Sequence, residues 1–316
     1  MMRFAFLFAL IPAVWAQPKH PRIEIVTSDI ANFWKAYDAG QPGNREEAFQ
    51  KLYLDPGSPG LADFVKLRIQ SAKALATDVD GRHQKFFATV RPYTLKVESQ
   101  RETILRYLDR YAELYPEAKF PAVYFVIGRL TSGGTVSDRG LLIGTEVNSL
   151  GPDVDTSEIN PSFRRAMGTV DHIPLIVVHE LTHTQSKESG HGKVPRMLAD
   201  CIGEGAADFM TELVAHSSIN AYTKEWAESH RDELFRRFAR DMAEKPDDAS
   251  KWMYNYSSAN DEPADLGYWI GNEICRSYYE NVKDKREAIR NIVAQEDVET
   301  IVRGSRYAWL LSQPVP

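Results

Sequence analysis

The sequence predicts an α+β protein that is mostly helical, with a small sheet before a central buried helix and a helical C-terminal lobe. Apolar residues recur at three- and four-residue spacing over most of the chain, which is typical of amphipathic helices. Short runs of β-branched and aromatic residues, interrupted by glycine, follow residue 120 and indicate two or three strands. The 316 residues, 43% of them hydrophobic, suffice for one large domain or for two lobes around a cleft.

Residues 1–16 predict a secretory signal peptide. Arg3 precedes an apolar run over residues 4–15, which at about 1.5 Å per residue is too short to cross a bilayer; an uncleaved anchor is the alternative. No later stretch is apolar enough to span a membrane. We therefore expect a mature protein that starts at Gln17, is secreted or periplasmic, and has no stable membrane insertion. The formal net charge of -6 argues against a nucleic-acid partner.

Residues 17–119 predict a helical N-terminal region without a metal-ligand cluster of its own. Proline and glycine separate its helices, and Pro92 is expected to delay the start of the last one. The spacing of apolar residues predicts these helices over residues 31–37, 46–53, 61–75 and 95–114.

The predicted sheet begins the second region, residues 120–316. Two runs, residues 122–128 and 140–144, have the composition of strands, and the glycine-rich residues 131–135 connect them. An irregular stretch rich in Gly, Pro, Asp and Asn ends at Pro161. Helical patterns continue from there to the end of the chain.

The most informative segment is the apolar run over residues 173–178 and the two histidines that follow it. His179 and His183 are four residues apart, so on a helix both imidazoles share one face and can bind one zinc ion at about 2.0 to 2.1 Å. Glu180 occupies the position that a general base for a metal-bound water requires. The apolar run indicates a buried helix, where histidine and glutamate need partners that a metal supplies.

A second polar pair, Glu204 and Asp208, interrupts a later apolar helix with the same spacing of four. Glu204 can complete a His, His, Glu ligand set and leave one position for water. Asp208 can accept a hydrogen bond from the distal nitrogen of a ligand histidine, with His179 preferred. Gly205 and its small neighbours predict close approach of this helix to the histidine helix.

Three other histidines are weaker candidates for a ligand. The metzincin pattern would place its third histidine at position 189, where the chain has Ser189. His191 lies in a glycine-containing loop, where a solvated histidine is the commoner case. His172 and His216 are interpreted as ordinary histidines.

Residues 179–183, His-Glu-Leu-Thr-His, together with Glu204 and Asp208 resemble the thermolysin-like gluzincin zinc metallopeptidases. The similarity is closest to a family of uncharacterised, predicted zinc-dependent proteases in which a Glu-Gly-x-Ala-Asp stretch follows the histidines. The specific motifs lie within residues 178–209. The resemblance implies a Zn2+ cofactor, a peptide or protein substrate, and a catalytic region over residues 120–316.

Two further parts are implied by the resemblance: an edge strand that pairs with an extended substrate, and a donor that stabilises an oxyanion. A hairpin turn is the alternative for the strand. Tyr268 is the candidate donor, although a buried tyrosine on a glycine-containing helix more often packs; Tyr254 and Tyr256 are weaker candidates. The strand candidates are Gly133, Gly134 and Thr135.

The resemblance predicts a zinc metallopeptidase in which Glu180 takes a proton from the zinc-bound water. The leading alternative is a non-catalytic, metal-containing binding or assembly protein of the envelope, which the large helical N-terminal region favours. A chance motif in a metal-free exported protein is the third hypothesis. Cys201 and Cys275 either form a disulfide, which export permits, or remain two buried free thiols.

Overall fold

The computed structural model has the α+β architecture expected from the sequence, because it is mostly helical and contains a small mixed sheet. The prediction of a signal peptide over residues 1–16 and the interpretation of His191 lie outside the described residues. The structure describes residues 23–187, 194–256, 258–259 and 262–312.

The sheet has the strand order β1, β2, β4, β3. β2 is parallel to both of its neighbours, β1 and β4, whereas β3 is antiparallel to β4. The two predicted strands are confirmed as β2 and β4, and β3 lies in the predicted glycine-rich connection. β1 was missed, because it lies in the region predicted to be helical. The strands are Ile25–Val26 (β1), Ala122–Val126 (β2), Gly134–Ser137 (β3) and Gly140–Gly144 (β4).

Helices pack on this sheet from both predicted regions, and their buried apolar side chains form one continuous core with the strands. The helices of the N-terminal region are α1 Ser28–Ala39, α2 Glu46–Phe49, α3 Pro59–Phe64, α4 Ala72–Thr77, α5 Gln84–Thr94 and α6 Arg101–Leu114. The later helices are α7 Pro161–Ala166, α8 Ile173–His183, α9 Arg196–Ala215, α10 Ala221–Ser229, α11 Arg231–Glu244, α12 Leu266–Asn281, α13 Lys285–Ala294 and α14 Val298–Gly304.

Three wide π-helical turns divide the N-terminal helices at Gln50–Leu54, Val65–Ile69 and Asp78–Arg82. The single helix predicted over residues 61–75 is therefore wrong. The chain leaves the second π turn at Gln70, whose φ of 75° lies in the left-handed region, and a new helix begins after Ser71, whose hydroxyl accepts from the Ala74 amide.

The last helix of this region also differs from its prediction. It begins at Arg101, after a 3-10 turn over Val97–Gln100, rather than at residue 95. Pro92 does not delay that helix, because it lies inside the unpredicted helix α5. Apolar periodicity indicated the buried face here and could not locate a change from α to 3-10 winding.

Helices α9 and α12 cross with their backbones in direct contact. Gly205 faces Gly271 of α12, and a Cβ on either glycine would overlap main-chain atoms of the other helix. The missing side chain at Gly205 therefore permits approach to α12. Helix α9 also packs on the histidine helix α8, as predicted, although the Gly205 position itself faces α12. Cys201 and Cys275 lie in these two helices as buried free thiols, which resolves the open alternative against a disulfide.

A buried carboxyl group lies directly after β4. Glu146 is fully buried, and its Oε1 accepts a hydrogen bond from the Leu130 amide at 3.1 Å, while Oε2 has no partner among the described residues. Burial raises the pKa of Glu146 to about 7, against the opposing effect of the backbone amides of Gly128 and Leu130. Below about pH 7 the carboxyl group of Glu146 is therefore mainly protonated in the folded protein.

Glu146→Gln is expected to remove a pH dependence of stability between about pH 4.5 and pH 7. Because the folded-state pKa is raised, the folded state binds more protons than the unfolded state in this window, and stability falls as pH rises through it. The loss amounts to about 3 kcal/mol at pH 8. Urea unfolding at pH 5 and pH 8 measures it. Glu102→Gln, at an exposed position of α6, is the control; an equal pH dependence in wild type and Glu146→Gln would contradict the assignment.

Candidate metal centre

The histidine helix α8 begins with Ile173 and Pro174, where proline needs no hydrogen-bond partner for its nitrogen. Its middle is buried, as the apolar run predicted. His179 and His183 project from one face, and their Nε2 atoms are 3.1 Å apart. The helix therefore presents two ring nitrogens toward a common point.

Helix α9 supplies the third donor. Oε2 of Glu204 lies 3.2 Å from Nε2 of His179 and 3.2 Å from Nε2 of His183. Donors that bind zinc tetrahedrally at about 2.0 to 2.1 Å lie about 3.3 Å from one another. The structure thus brings the three predicted ligands together at the spacing that a tetrahedral ion requires, although zinc itself stays a prediction.

Asp208 lies behind the first histidine, as predicted. Its Oδ1 is 2.9 Å from Nδ1 of His179, and its Oδ2 accepts a hydrogen bond from Nδ2 of Asn220 at 3.0 Å. A carboxylate in this position fixes the orientation of the imidazole ring and keeps the proton on Nδ1. The lone pair of Nε2 is then available to bind a metal ion. No sequence pattern indicates Asn220, because it follows the end of α9 in the connection to α10.

Charge balance in the cluster favours a bound cation. Burial raises the pKa of Glu204, but His183 and His179 outweigh burial and hold that pKa well below its usual value. Burial lowers the pKa of His179, but hydrogen bonds to Asp208 and Glu204 outweigh it and raise the pKa well above its usual range. The buried carboxylates thus stabilise positive charge between them, which protons or a metal ion can supply.

The structure places all three tyrosine candidates at the cluster. Tyr268, the first candidate, stacks on the His179 ring with centroids 6.2 Å apart. Tyr254, a weaker candidate, donates a hydrogen bond from its hydroxyl to Oε1 of Glu204 at 2.8 Å. Its left-handed backbone, with φ of 56°, contributes to this placement and leaves no mark in the sequence pattern. Tyr256 lines the same cleft.

The cluster opens into a cleft of about 520 Å³. One wall is β3, which is an edge strand of the sheet and not a hairpin turn; Gly133 precedes it, and Gly134 and Thr135 lie within it. A Cβ on Gly134 would overlap the Glu180 carboxylate, so glycine lets the strand approach α8. Arg68 also lines the cleft. No motif indicates this arginine, because it belongs to the helical region interpreted as scaffold.

The other described histidines do not join the cluster. His172 accepts a hydrogen bond from the Thr169 amide at Nδ1, within a capping box. His216 ends α9 in the left-handed conformation, with φ of 54°. Both have local structural roles, as the sequence interpretation expected.

Comparison with known proteins identifies a family for most of the chain. A family model described as gliding motility protein GldB matches residues 47–308. No curated protein and no solved structure matches the chain.

The family match corrects the resemblance to gluzincins and the functions derived from it. The prediction of a zinc metallopeptidase, and of an enzyme at all, is wrong, because the matched family is one of gliding motility proteins. The catalytic roles predicted for Glu180 and Tyr268 lose their basis with it. The resemblance rested on residues 178–209, and two histidines on one helical face specify where an ion can bind, not which reaction follows.

The match also bears on location. The family is one of lipoproteins, which is compatible with the predicted secreted or periplasmic location. Within the described part of the chain, none of the helices combines the length and apolar composition that crossing a bilayer requires.

Proposed function

Because this chain belongs to the family of gliding motility protein GldB, we propose that it is a non-catalytic binding or assembly protein of the envelope with a role in motility. It is secreted or periplasmic, holds a divalent ion, expected to be zinc, and binds a polypeptide partner in the cleft. The observation that carries the proposal is the convergence of His179, His183 and Glu204 at tetrahedral spacing.

The donor set fits zinc on chemical grounds. Two imidazoles and one carboxylate are common zinc ligands, and three protein ligands leave one position open. The bound ion would act as a Lewis acid and accept a lone pair from an oxygen or nitrogen atom of the partner. Asp208 and Tyr254 would orient the ligands, since one contacts His179 and the other contacts Glu204.

A polypeptide partner is supported by β3. This strand has a sheet neighbour on one side and the cleft on the other, so alternate residues direct backbone groups away from the sheet. An extended chain can add to such an edge. Gly134 and Thr135 of β3, with Gly133 before it, are the residues proposed to contact the partner.

Glu204→Ala is expected to abolish the metal site, because it removes one of three ligands and leaves two neutral imidazoles. Removing a residue that only orients a ligand lowers metal affinity about 10- to 100-fold, so loss of a ligand should exceed 100-fold. Mass spectrometry of the purified chain should find about one zinc per wild-type molecule and almost none in the variant.

The matched control is Asp200→Ala, one turn earlier on α9. Asp200 pairs with Arg196 across 3.6 Å and does not contact the cluster, so this variant should keep its zinc. Zinc retained equally by Glu204→Ala would contradict the ligand set. Cleavage of a mixed peptide library by the zinc-loaded protein, lost on chelation, would contradict the non-catalytic assignment.

A further inference from the structure

We propose that Arg68 is the anion-recognition residue of the cleft and binds a carboxylate of the polypeptide partner. This inference rests on the proposed function, because it assigns the chemistry of the partner that the cleft holds. It is argued from the backbone at Arg68, the surroundings of its guanidinium and the charges of the opposite wall.

The backbone holds Arg68 in an uncommon conformation. Arg68 lies in the π-helical turn Val65–Ile69, and the next residue but one, Gln70, has a φ of 75°. π turns and left-handed residues other than glycine both cost conformational energy and cluster at functional sites. The Arg68 carbonyl accepts from Nε of Arg129 at 3.2 Å, and Arg129 is itself paired with Asp78. The Arg129 side chain, itself held by Asp78, therefore anchors the carbonyl of this turn.

The guanidinium of Arg68 has spare donors. Nη2 donates to Oγ1 of Thr135 in β3 at 3.1 Å, which places the group beside the edge strand. Nε is buried without a hydrogen-bond partner among the described residues. No carboxylate of those residues forms an ion pair with it within 4.0 Å. A neutral hydroxyl thus accounts for one of five donors, and the charge is left without a contacting anion.

Other arginines of this protein show what Arg68 lacks. Arg45 is paired with Asp80, Arg129 with Asp78, and Arg231 with Glu273. A partly buried guanidinium is costly without a counter-charge, and its planar fork matches a carboxylate in particular. Arg68 faces the cleft instead, where its charge acts on Glu180 without a direct ion pair, so a ligand can supply a contacting anion.

The rest of the cleft disfavours a doubly charged anion more than a singly charged one. Glu180, Glu204, Asp208 and Asp265 also line it, and the proposed ion neutralises part of that charge. A doubly charged phosphate would be repelled by these carboxylates more strongly than a carboxylate would. Because β3 lies beside Arg68, the carboxylate is assigned to an extended polypeptide, at its C-terminus or on an acidic side chain.

Fluorescence anisotropy with the zinc-loaded full chain tests the inference. The ligands are three fluorescein-labelled heptapeptide pools of mixed sequence: a free C-terminal acid without Asp or Glu, the same pool as an amide, and an amide pool with one central Glu. We expect at least one carboxylate pool to bind about 10-fold or more tightly than the uncharged amide pool, and the preferred pool identifies the source of the carboxylate.

Arg68→Gln should lower the affinity for the preferred pool about 10-fold or more and so remove the preference for that pool over the amide pool. Lys66→Gln is the control, because Lys66 lies in the same turn but is exposed and pairs with Asp63. Equal binding of acid and amide pools, no binding of any pool, or displacement by inorganic phosphate at lower concentration than by acetate would overturn the inference.

The variant and the proposed function can fail separately. Zinc content measured on the same samples should be unchanged in Arg68→Gln, since Arg68 is not a ligand. A zinc-free wild type would refute the metal site, whereas a zinc-loaded protein indifferent to the carboxylate would refute the role of Arg68. If Arg68→Gln loses its cooperative melting transition, the wild-type protein still tests the inference, because its relative affinities for the acid and amide pools show whether the cleft binds a carboxylate.

Discussion

Replacing Gly271 with alanine is expected to prevent the native packing of α9 on α12 and to leave the chain largely unfolded. A Cβ at this position would overlap the carbonyl oxygen of Cys201, and main-chain atoms inside a helix cannot move aside as a flexible side chain can. On the other helix, a Cβ on Gly205 would likewise overlap main-chain atoms of Gly271. Losses above about 4 kcal/mol are exceptional for one substitution and are expected here, because the two backbones must separate.

Circular dichroism during heating and in urea measures the effect. Gly203→Ala is the matched control on α9: the nearest atom to its added Cβ is Oε1 of Gln295 at 3.6 Å, an ordinary contact. That variant should be neutral or more stable by up to about 1 kcal/mol, because alanine favours helix over glycine. A Gly271→Ala protein that melts at the wild-type temperature would show that the helices do not cross this closely.

Removing the metal is expected to lower the melting temperature of the wild-type protein by roughly 5 to 10 °C. An ion that binds the folded state alone stabilises it by about 4 kcal/mol when its concentration is 1,000 times its dissociation constant. The carboxylates of partly buried Glu204 and buried Asp208 add to the effect, because they lose the cation that offsets their mutual repulsion.

Scanning calorimetry before and after chelation, followed by addition of zinc, measures this shift. The Glu204→Ala variant serves as the control and should melt at the same temperature with and without chelator. An unchanged wild-type melting temperature, in a sample from which zinc has been removed, would exclude a stabilising metal at this site.

Local patterns predicted the parts of the fold and the cluster that each depend on one element. The spacing of four within α8 places His179 and His183 on one face, and the same spacing within α9 places Glu204 and Asp208 together. The buried runs that became β2 and β4 are equally local. Continuous burial on every described side chain of β4 matches its uninterrupted apolar sequence.

Features that depend on distant segments escaped prediction. Arg68 lies in a π turn that ends at a left-handed residue, and the three- and four-residue apolar spacing of the sequence continues through both. Tyr254 contacts Glu204 from a loop whose backbone is also left-handed. The function was predicted wrongly for a related reason. The ligand motif is confined to α8 and α9, whereas the family match extends over most of the chain.

The short strand β1 has a consequence for the time course of folding. Its register places Ile25 beside Val123, about 100 residues later in the chain. Closing a loop of that length costs about 4 kcal/mol of chain entropy, which two residue pairs offset poorly. Synthesis begins at the N-terminus, so β1 is made well before its partner β2. This segment therefore stays unpaired until β2 has formed. Until it docks, one edge of β2 stays open to pairing with other chains, so aggregation during refolding should depend strongly on protein concentration.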